Sequence, residues 1–479
     1  MKINSFQITH WFKTLVSLMV LTLLFTYCKK KEAAAIQEEN DITPVATTQK
    51  FTEILGRPTN SAVTMSILFD QLTEVYWEYG TVSGNYTLKS SIVTASKDVP
   101  LQADLTNLTT NTKYYYRTRC RISGSASAFS AGSEHTFHTP RESGDTFTFA
   151  IEADPHLDEN SDTASYSLTL KNILSAKPDF MLDLGDTFFS EKQPEKTQTV
   201  ITNRHLLYRP YFGKVCHSVP LYLTLGNHEG ESGWVLNGTA NSLPVMASNT
   251  RKLYYPNPEP NSFYSGNSKS ETFVGLRQNY YSWQWGNALF IVLDPYWNTI
   301  TKPGWGWTLG TDQYNWFKST ISTSQAKYKF VFCHNLVGGN GNDSRGGTEF
   351  AHLFEMGGSN LDGTWGFDSN RPGWQKPIHT LMKENKATIF FHGHDHFYGK
   401  QDKDGIVYQE VPQPSNKNIT NISATEYGYK EGILLPGRGY LLLTITNNSA
   451  KVEYIKTYLP SEESSTRKNG EVGATYTIN

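Results

Sequence analysis

The sequence predicts an α/β fold that is preceded by a smaller all-β domain. Between residues 146 and 458, short β-branched or aromatic runs alternate with helix-like stretches such as 161–176 and 374–385, which is the pattern of strand–helix–strand units. Between residues 44 and 140, short strand-like runs are separated by turn segments rich in Gly, Ser, Asn and Thr. This second pattern is typical of a β-sandwich.

The first 28 residues have the features of an export signal. The apolar stretch 15–25 is short for a membrane span, and it ends shortly before Cys28 and three lysines. This arrangement resembles a bacterial lipoprotein signal, in which Cys28 becomes the lipidated first residue, although Tyr27 stands where a small residue is usual. A plain secretory signal and an uncleaved anchor are the alternatives. We expect export and a lipid anchor in the bacterial cell envelope, with residues 29–43 as a flexible tether.

The all-β domain is predicted over residues 44–140. Its segment 108–116 resembles the corner of fibronectin type III domains, in which a tyrosine hydrogen-bonds back to the backbone of a turn. Trp77 would be the buried aromatic residue of the sandwich core. Two roles are open for this domain: a spacer that packs on the following domain, or a module that binds carbohydrate or a partner. Residues 141–145 are the expected linker.

In the α/β domain, five apolar runs end in residues that commonly bind metal ions. The runs end at Asp154-Pro-His156, Gly185-Asp186, Gly226-Asn227-His228-Glu229, Cys333-His334-Asn335 and Gly393-His394-Asp395-His396. In open α/β sheets the ligand crevice lies outside the carboxyl ends of the strands, so one pocket can collect all five motifs. Carboxylates, an Asn carbonyl and imidazoles together suit divalent ions such as Mn, Fe or Zn.

Each motif alone has a simpler explanation. Asp154 and Asp186 could be capping acids at strand or helix ends, and His334 could be a buried core histidine. His394 and His396 are harder to explain in this way, because alternate residues of an extended segment face the same side. Asp186 is the natural bridge between two ions, since one carboxylate can bind both and offset their repulsion.

The ordered set of five motifs resembles the calcineurin-like metallophosphoesterase superfamily over residues 146–458. The resemblance implies a β-sandwich flanked by helices, here preceded by a fibronectin type III-like domain, with residues 459–479 as a C-terminal tail. It also implies two metal sites that share Asp186. Carried over residue by residue, the first metal is held by Asp154, His156 and His396, and the second by Asn227, His334 and His394.

The same resemblance implies a metal-dependent hydrolase of phosphate esters, similar to acid phosphatases. Two divalent transition-metal ions would share a hydroxide that attacks phosphorus in line. His228 would protonate the leaving oxygen or stabilise charge in the transition state, with Asp186 as its metal-bridging partner. Two alternatives stay open: a phosphodiesterase or nuclease of the same fold, and a surface-binding lipoprotein with weak or no catalysis.

The two-domain order is similar to that of the purple acid phosphatases. In those enzymes a tyrosinate three residues after the bridging aspartate binds the ferric ion, and here that position is Phe189. The chain instead carries His156 in the first motif, where purple acid phosphatases usually have no histidine. Asn335 and Arg345 are the candidates for contacts with phosphate oxygens.

Composition narrows the possible partners. The chain has 43 basic and 45 acidic residues and a net charge of −2, without a long basic patch, so no dedicated nucleic-acid binding is expected. Apart from Cys28, three cysteines remain, which is too few for a disulfide framework.

Two long inserts, 230–279 and 296–307, are expected to shape the substrate pocket. The tryptophans of the second insert could stack a leaving group or simply pack the loop.

Overall fold

The structure, a computed structural model, describes residues 49–479. The expected signal segment 1–28, its Cys28, the tether 29–43 and the first residues of the β domain lie outside the described part. Within residues 49–479, no helix combines the length and the apolar character needed to cross a membrane.

The N-terminal region is all β, as its turn-rich sequence predicts. Its strands are β1 Phe51–Gly56, β2 Val63–Phe69, β3 Thr73–Gly80, β4 Leu88–Lys89, β5 Val93–Ala95, β6 Leu101–Leu105, β7 Lys113–Ile122, β8 Ser130–Ala131 and β9 His135–His138. In β7 buried and partly exposed side chains alternate, which is what a strand with one face on a core requires. Trp77 is buried, and the Thr109 N–H donates to the Tyr114 hydroxyl over 2.8 Å, so the structure contains the expected tyrosine corner.

The following region alternates strands and helices. Its strands are β10 Phe147–Glu152, β11 Phe180–Asp183, β12 Leu221–Leu223, β13 Ser265–Gly266, β14 Tyr281–Trp285, β15 Ala288–Val292, β16 Tyr328–Phe332, β17 Ile389–His392, β18 Tyr398–Lys403, β19 Ile406–Glu410, β20 Ile433–Leu435, β21 Gly439–Ile445, β22 Ala450–Lys456 and β23 Val472–Ile478. Its α-helices are α1 Thr163–Ala176, α2 Gln198–Phe212, α3 Leu243–Tyr254, α4 Thr311–Thr323, α5 Phe354–Gly357, α6 Phe367–Asn370 and α7 Ile378–Glu384. Short 3₁₀ turns occupy Gly233–Val235 and Gly304–Gly306.

Two large sheets form a sandwich with helices outside. One sheet has the strand order β23-β22-β21-β10-β11-β12-β1-β2-β6, and the other β13-β14-β15-β16-β17-β19-β18-β20. Their facing aromatic side chains make the core: the ring of Phe149 lies 5.1 Å from that of Phe290 and 5.7 Å from that of Phe330. Each fully buried phenylalanine of this kind contributes about 1.5–3 kcal/mol relative to an exposed one. Helices α1 and α2 cover the outer face of the first sheet, while α4 and α7 cover that of the second. The predicted fold class is confirmed.

The N-terminal region is more closely joined to the following region than a two-domain scheme suggests. Strand β1 pairs in parallel with β12 at Gly56 and Leu221, so β1, β2 and β6 extend the first large sheet. The buried guanidinium of Arg209 in α2 donates to the backbone oxygens of Thr52 and Ser66 over 3.0 Å. The second sheet of the β-sandwich, built around β3 and β7, remains separate.

The expected C-terminal tail contains a strand. β23 pairs antiparallel with β22, with Ile478 opposite Ala450, and forms the edge of the first large sheet. From Ala474 to Ile478, partly covered and exposed side chains alternate, as expected for a half-buried edge strand. The sheet therefore extends beyond residue 458, where the sequence placed the end of the domain.

The insert 230–279 is held by a buried network of charges. The Glu231 carboxylate accepts from the Arg251 Nε over 2.6 Å and from the Arg277 Nη2 over 3.1 Å, and Arg277 also pairs with Asp294 over 2.9 Å. The Arg277 guanidinium lies 3.9 Å from the centre of the Trp297 ring, so this tryptophan packs the second insert onto the first. Burial acts to raise the pKa of Glu231, but Arg251 and Arg277 outweigh it and lower that pKa to about 2.

Replacing Glu231 with glutamine should destabilise the fold by about 3–5 kcal/mol, because two arginines lose their buried counter-charge. In the wild-type protein the contribution of Glu231 is present above its ordinary pKa of 4.5 and is lost as the pH falls through about 2. Denaturant unfolding of both proteins at several pH values measures this. Glu271→Gln in the same insert is the control: its partner Lys269 is exposed, so a loss below about 1 kcal/mol is expected. Equal losses for the two variants would contradict the prediction.

Candidate metal centre

All five motifs lie at the ends of buried strands, and both large sheets contribute. The loops after β10, β11 and β12 come from the first sheet, and those after β16 and β17 from the second. These strands are parallel within each sheet, with Phe149 opposite Phe180 and Phe330 opposite Ile389. The sequence placed one crevice outside the carboxyl ends of these strands. In the structure the loops that would line it lie where the edges of the two packed sheets meet.

The first group of side chains consists of Asp154, His156 and His396. Their ligand atoms lie within 4.8 Å of one another. The Asp154 Oδ1 lies 3.4 Å from the His396 Nε2 and 3.6 Å from the His156 Nε2. This spacing leaves room for a cation between the three atoms.

The second group consists of Asp186, His334 and His394, again with ligand atoms within 4.8 Å. The Asp186 Oδ2 lies 3.2 Å from the His334 Nε2 and 3.7 Å from the His156 Nε2, so it faces both groups. Asn227 follows β12, as the sequence suggested, and its amide oxygen is buried. Asp186 is therefore placed where a carboxylate can bridge two ions.

Several of these ligand atoms are buried without a hydrogen-bond partner. They are Asp154 Oδ1, His156 Nε2, Asn227 Oδ1 and His334 Nε2. Burying an unpaired polar atom is costly, so orphans concentrated in one place indicate a missing counterpart. A divalent cation satisfies carboxylate, amide and imidazole donors together, and this donor set suits Mn, Fe or Zn. The residues present thus fit a metal ion in each group.

The backbone at these positions is also unusual. Five candidate ligands have left-handed φ angles between +49° and +77°: Asp154, His156, Asp186, His394 and His396. Such angles cost energy for residues other than glycine, and they persist where the surroundings over-determine them, above all at functional sites. Gly393 shows the crowding, because a Cβ there would lie 2.6 Å from the Asp154 Oδ2. The loops are shaped around the ligand atoms.

Hydrogen bonds orient the imidazoles and carboxylates. The Asp154 Oδ2 accepts from the His394 N–H over 2.9 Å, the His334 Nδ1 lies 3.0 Å from the Leu184 carbonyl, and the His394 Nε2 lies 2.8 Å from the Asp343 carbonyl. A metal-binding histidine commonly uses its other nitrogen in this way. These bonds leave the Nε2 of His334 and the Nδ1 of His394 for a metal.

The buried carboxylates of the centre favour positive charge beside them. Burial acts to raise the pKa values of Asp154 and Asp186, but the surrounding histidines, of which His334 acts most strongly, together outweigh burial and hold both pKa values far below the usual range. Conversely, burial acts to lower the pKa values of His156 and His334, while the two carboxylates raise them to about 9 and about 10. A metal that binds must displace these protons, so its affinity depends on pH.

His228 adjoins the centre without belonging to either group. Its Nε2 lies 3.9 Å from the Asp186 Oδ2, and its backbone N–H donates to the Asp186 Oδ1 over 2.7 Å. On the other side of the ring, the Nδ1 lies 3.0 Å from the Glu191 Oε2, and this contact lowers the pKa of the Glu191 carboxyl. The Nε2 edge therefore faces the Asp186 carboxylate, and it also lies 3.2 Å from the Asn227 Nδ2. The rings of His156 and His228 lie 4.7 and 4.8 Å from that of Phe189, which offers no oxygen to a metal.

Two further carboxylates adjoin the centre: Glu191, which the sequence analysis did not identify, and Glu229, which it named only as the end of the third motif. Glu229 accepts from the backbone N–H groups of Asp186, Thr187 and Phe188 and thereby fixes the loop after β11. Its only sequence signal is its place directly after His228. Glu191 has no signal beyond its short distance from Asp186 along the chain.

The two candidates for phosphate contacts are occupied elsewhere. Asn335 is buried, its side-chain oxygen accepts from the Tyr296 hydroxyl, and its amide donates to the Leu336 carbonyl over 2.8 Å. Arg345 donates to the Asp395 carboxylate over 3.0 Å and to the His394 carbonyl over 2.5 Å. Both side chains are engaged by these protein partners, so the geometry assigns neither to a phosphate oxygen.

Comparison with known proteins agrees with this geometry. The family described as calcineurin-like phosphoesterase matches residues 147–398, more than half of the chain. Among curated proteins, none gives a significant match. A solved structure of PhoD is similar with a TM-score of 0.62 at 15% identity, covering 89% of this chain and 89% of that chain. A purple acid phosphatase from yellow lupin (Lupinus luteus) seeds gives a TM-score of 0.60 at 14% identity, covering 90% of this chain and 74% of that chain. At these identities the comparison shows that this chain shares the fold of both structures.

Proposed function

Because the chain belongs to the calcineurin-like phosphoesterase family, we propose that it hydrolyses phosphomonoesters with the help of two divalent transition-metal ions. The chain is a metal-dependent phosphoesterase, and phosphate esters are its substrates. Monoesters are placed first because the lupin protein of the same fold is a purple acid phosphatase. One observation carries the dinuclear proposal: two buried ligand groups meet at the Asp186 carboxylate.

In this proposal each group would hold one ion and Asp186 would serve both. The ligands of the first ion would be Asp154, His156 and His396, and those of the second Asn227, His334 and His394. The unpartnered ligand atoms and the left-handed backbone at five of these residues support the assignment. Mn, Fe and Zn all suit the donor set.

The ions would supply an activated water near neutral pH and screen the charge of the phosphoryl group. The chain's own residues supply orientation and a proton. Glu191 holds the Nδ1 side of His228, so the opposite nitrogen faces the position of a bound phosphoryl group. From there the Nε2–H can protonate the leaving oxygen.

Purified protein reconstituted with Mn, Fe or Zn should contain close to two ions per chain, since seven ligands can complete two sites. Elemental analysis measures the stoichiometry. The same preparation should hydrolyse p-nitrophenyl phosphate faster than bis(p-nitrophenyl) phosphate. Saturation at one ion or none would contradict the dinuclear centre, and faster hydrolysis of the diester would favour the phosphodiesterase alternative.

We also propose that the protein is exported and anchored through Cys28, on the evidence of the apolar stretch 15–25 and the lysines that follow the cysteine. Cys28→Ser should abolish labelling by fatty acid and release the protein from membranes. Cys216→Ser is the control, because that thiol is buried in the fold and should not affect labelling. Unchanged labelling of Cys28→Ser would rule out the lipid anchor.

A further inference from the structure

The glycine-rich loop, defined here as residues 338–347, touches the candidate metal centre directly. Its Asp343 carbonyl lies 2.8 Å from the Nε2 of His394, a candidate ligand of the second ion. Glycines 338, 339, 341 and 346 have positive φ angles, a conformation that glycine adopts without the steric cost of a side chain. Glycine-rich segments lose much conformational entropy when ordered, so other contacts must fix this carbonyl.

Asp395, between the candidate ligands His394 and His396, provides those contacts. Its side chain is buried, and the Oδ2 accepts from the Gly346 N–H and from the Tyr429 hydroxyl, each over 2.8 Å. Its Oδ1 accepts from the Arg345 Nη1 over 3.0 Å. One carboxylate therefore ties the glycine-rich loop to the loop after β17.

Arg345 completes the connection. The same Nη1 donates to the His394 carbonyl, and the guanidinium lies 4.4 Å from the centre of the Tyr427 ring. The guanidinium is thus held by a carboxylate, a carbonyl and an aromatic face. Such a site needs the planar fork of arginine, and little freedom is left for a substrate phosphate.

We propose that the Asp395–Arg345 pair positions the second metal site by holding the glycine-rich loop against His394, an inference that rests on the proposed metal-dependent function. The Asp343 carbonyl accepts the Nε2–H of His394 and leaves the Nδ1 free to bind the ion. Asp395 and Arg345 are positioning residues, because they act through His394 and contact neither substrate nor metal. His394 has a φ of +77°, a strained angle that surrounding contacts must maintain.

The first metal site has separate support. The Glu410 Oε1 accepts from the backbone N–H of Asp395 over 3.0 Å and from that of His396 over 3.2 Å. The Glu410 Oε2 lies 2.7 Å from the His392 Nδ1. The position of His396 therefore depends on Glu410 more than on the Asp395 carboxylate, and loss of that carboxylate should act on the two sites unequally.

The experiment measures both metal affinities by calorimetry and chelator competition in the full chain. His394→Ala and His396→Ala first identify which affinity belongs to which site. Asp395→Asn and Arg345→Gln should then each weaken the affinity that depends on His394 by about 10–100-fold, the usual effect of an outer-shell partner. The affinity that depends on His396 should be unchanged. Asp402→Asn, an exposed aspartate on β18, is the matched control and should alter neither.

The double variant should lose no more affinity than either single variant, because the two residues act as one unit. Equal weakening of both sites, or no weakening, would overturn the proposal. A raised KM for Arg345→Gln with both affinities intact would also overturn it and would assign Arg345 to the substrate. Failure of the proposed function appears differently, as wild-type protein that binds no pair of ions. Arg345 is half-buried, so its variant keeps the test decisive if Asp395→Asn does not fold.

Discussion

Replacing Asp186 with asparagine should release metal from the protein and abolish phosphoesterase activity. The Asp186 Oδ2 faces both ligand groups, and a neutral amide cannot offset the repulsion between two cations. Removal of a residue that only hydrogen-bonds to a metal ligand costs about 10–100-fold in metal affinity, so loss of the bridging charge should cost more than about 100-fold. Elemental analysis after dialysis against a weak chelator, with the rate measured on the same sample, provides the test.

Asparagine isolates the charge because it preserves the local structure. It tolerates the left-handed backbone of residue 186, where φ is +55°, better than most other residues do. Its side-chain oxygen can still accept the His228 N–H, which now reaches the Asp186 Oδ1. Asp312→Asn makes the same chemical change on the surface and should keep both ions. An Asp186→Asn protein that held two ions with undiminished affinity would remove Asp186 from the bridging position.

The candidate metal ligands were predictable because each follows a recognisable apolar strand. Strand ends fix where a loop begins, so Asp154, Asp186 and His334 fall at one edge of the packed sheets. His392 lies at the end of the strand that precedes His394 and His396, but it belongs to neither ligand group. His392 pairs with Glu410 behind the loop.

The residues that support the centre could not be predicted in the same way. Glu191, Glu229 and Asp395 act through loop geometry, which a short-range sequence pattern does not encode. Arg345 illustrates the difficulty, because a cation beside a glycine-rich segment suggests a phosphate contact, whereas its actual partner is a carboxylate 50 residues away in sequence.

For a similar reason, the sequence could not predict which distant strands pair with each other. The connection of β1 to β12 rests on the Gly56–Leu221 register, and β23 pairs with β22 after the intervening segment 457–471. Periodicity indicates that a segment is a strand without indicating its neighbour. The boundary at residue 140 therefore followed composition and that at residue 458 followed the extent of the family resemblance, while the sheet continues past both.

Replacing His228 with alanine should slow hydrolysis while leaving both ions in place. The His228 Nε2 faces the Asp186 Oδ2 from 3.9 Å, and its Nδ1 is engaged by Glu191, so the ring is arranged to donate a proton toward the centre. General acid catalysis typically contributes about 10²–10⁴-fold, and a loss in this range is expected for an alkyl phosphate with a poor leaving group. His352→Ala, on an exposed histidine, is the matched control and should change neither metal content nor rate.

The leaving group separates a proton donor from a structural residue. A p-nitrophenolate leaving group hardly needs a proton, so the loss caused by His228→Ala should shrink with p-nitrophenyl phosphate. Glu191→Gln keeps the imidazole but removes the carboxylate that orients it. The loss of rate in this variant should be smaller than in His228→Ala and should depend on the leaving group in the same way. A structural defect would instead lower both rates alike. If His228→Ala lost metal as readily as Asp186→Asn, or hydrolysed alkyl phosphates at the wild-type rate, His228 would not be the proton donor of this centre.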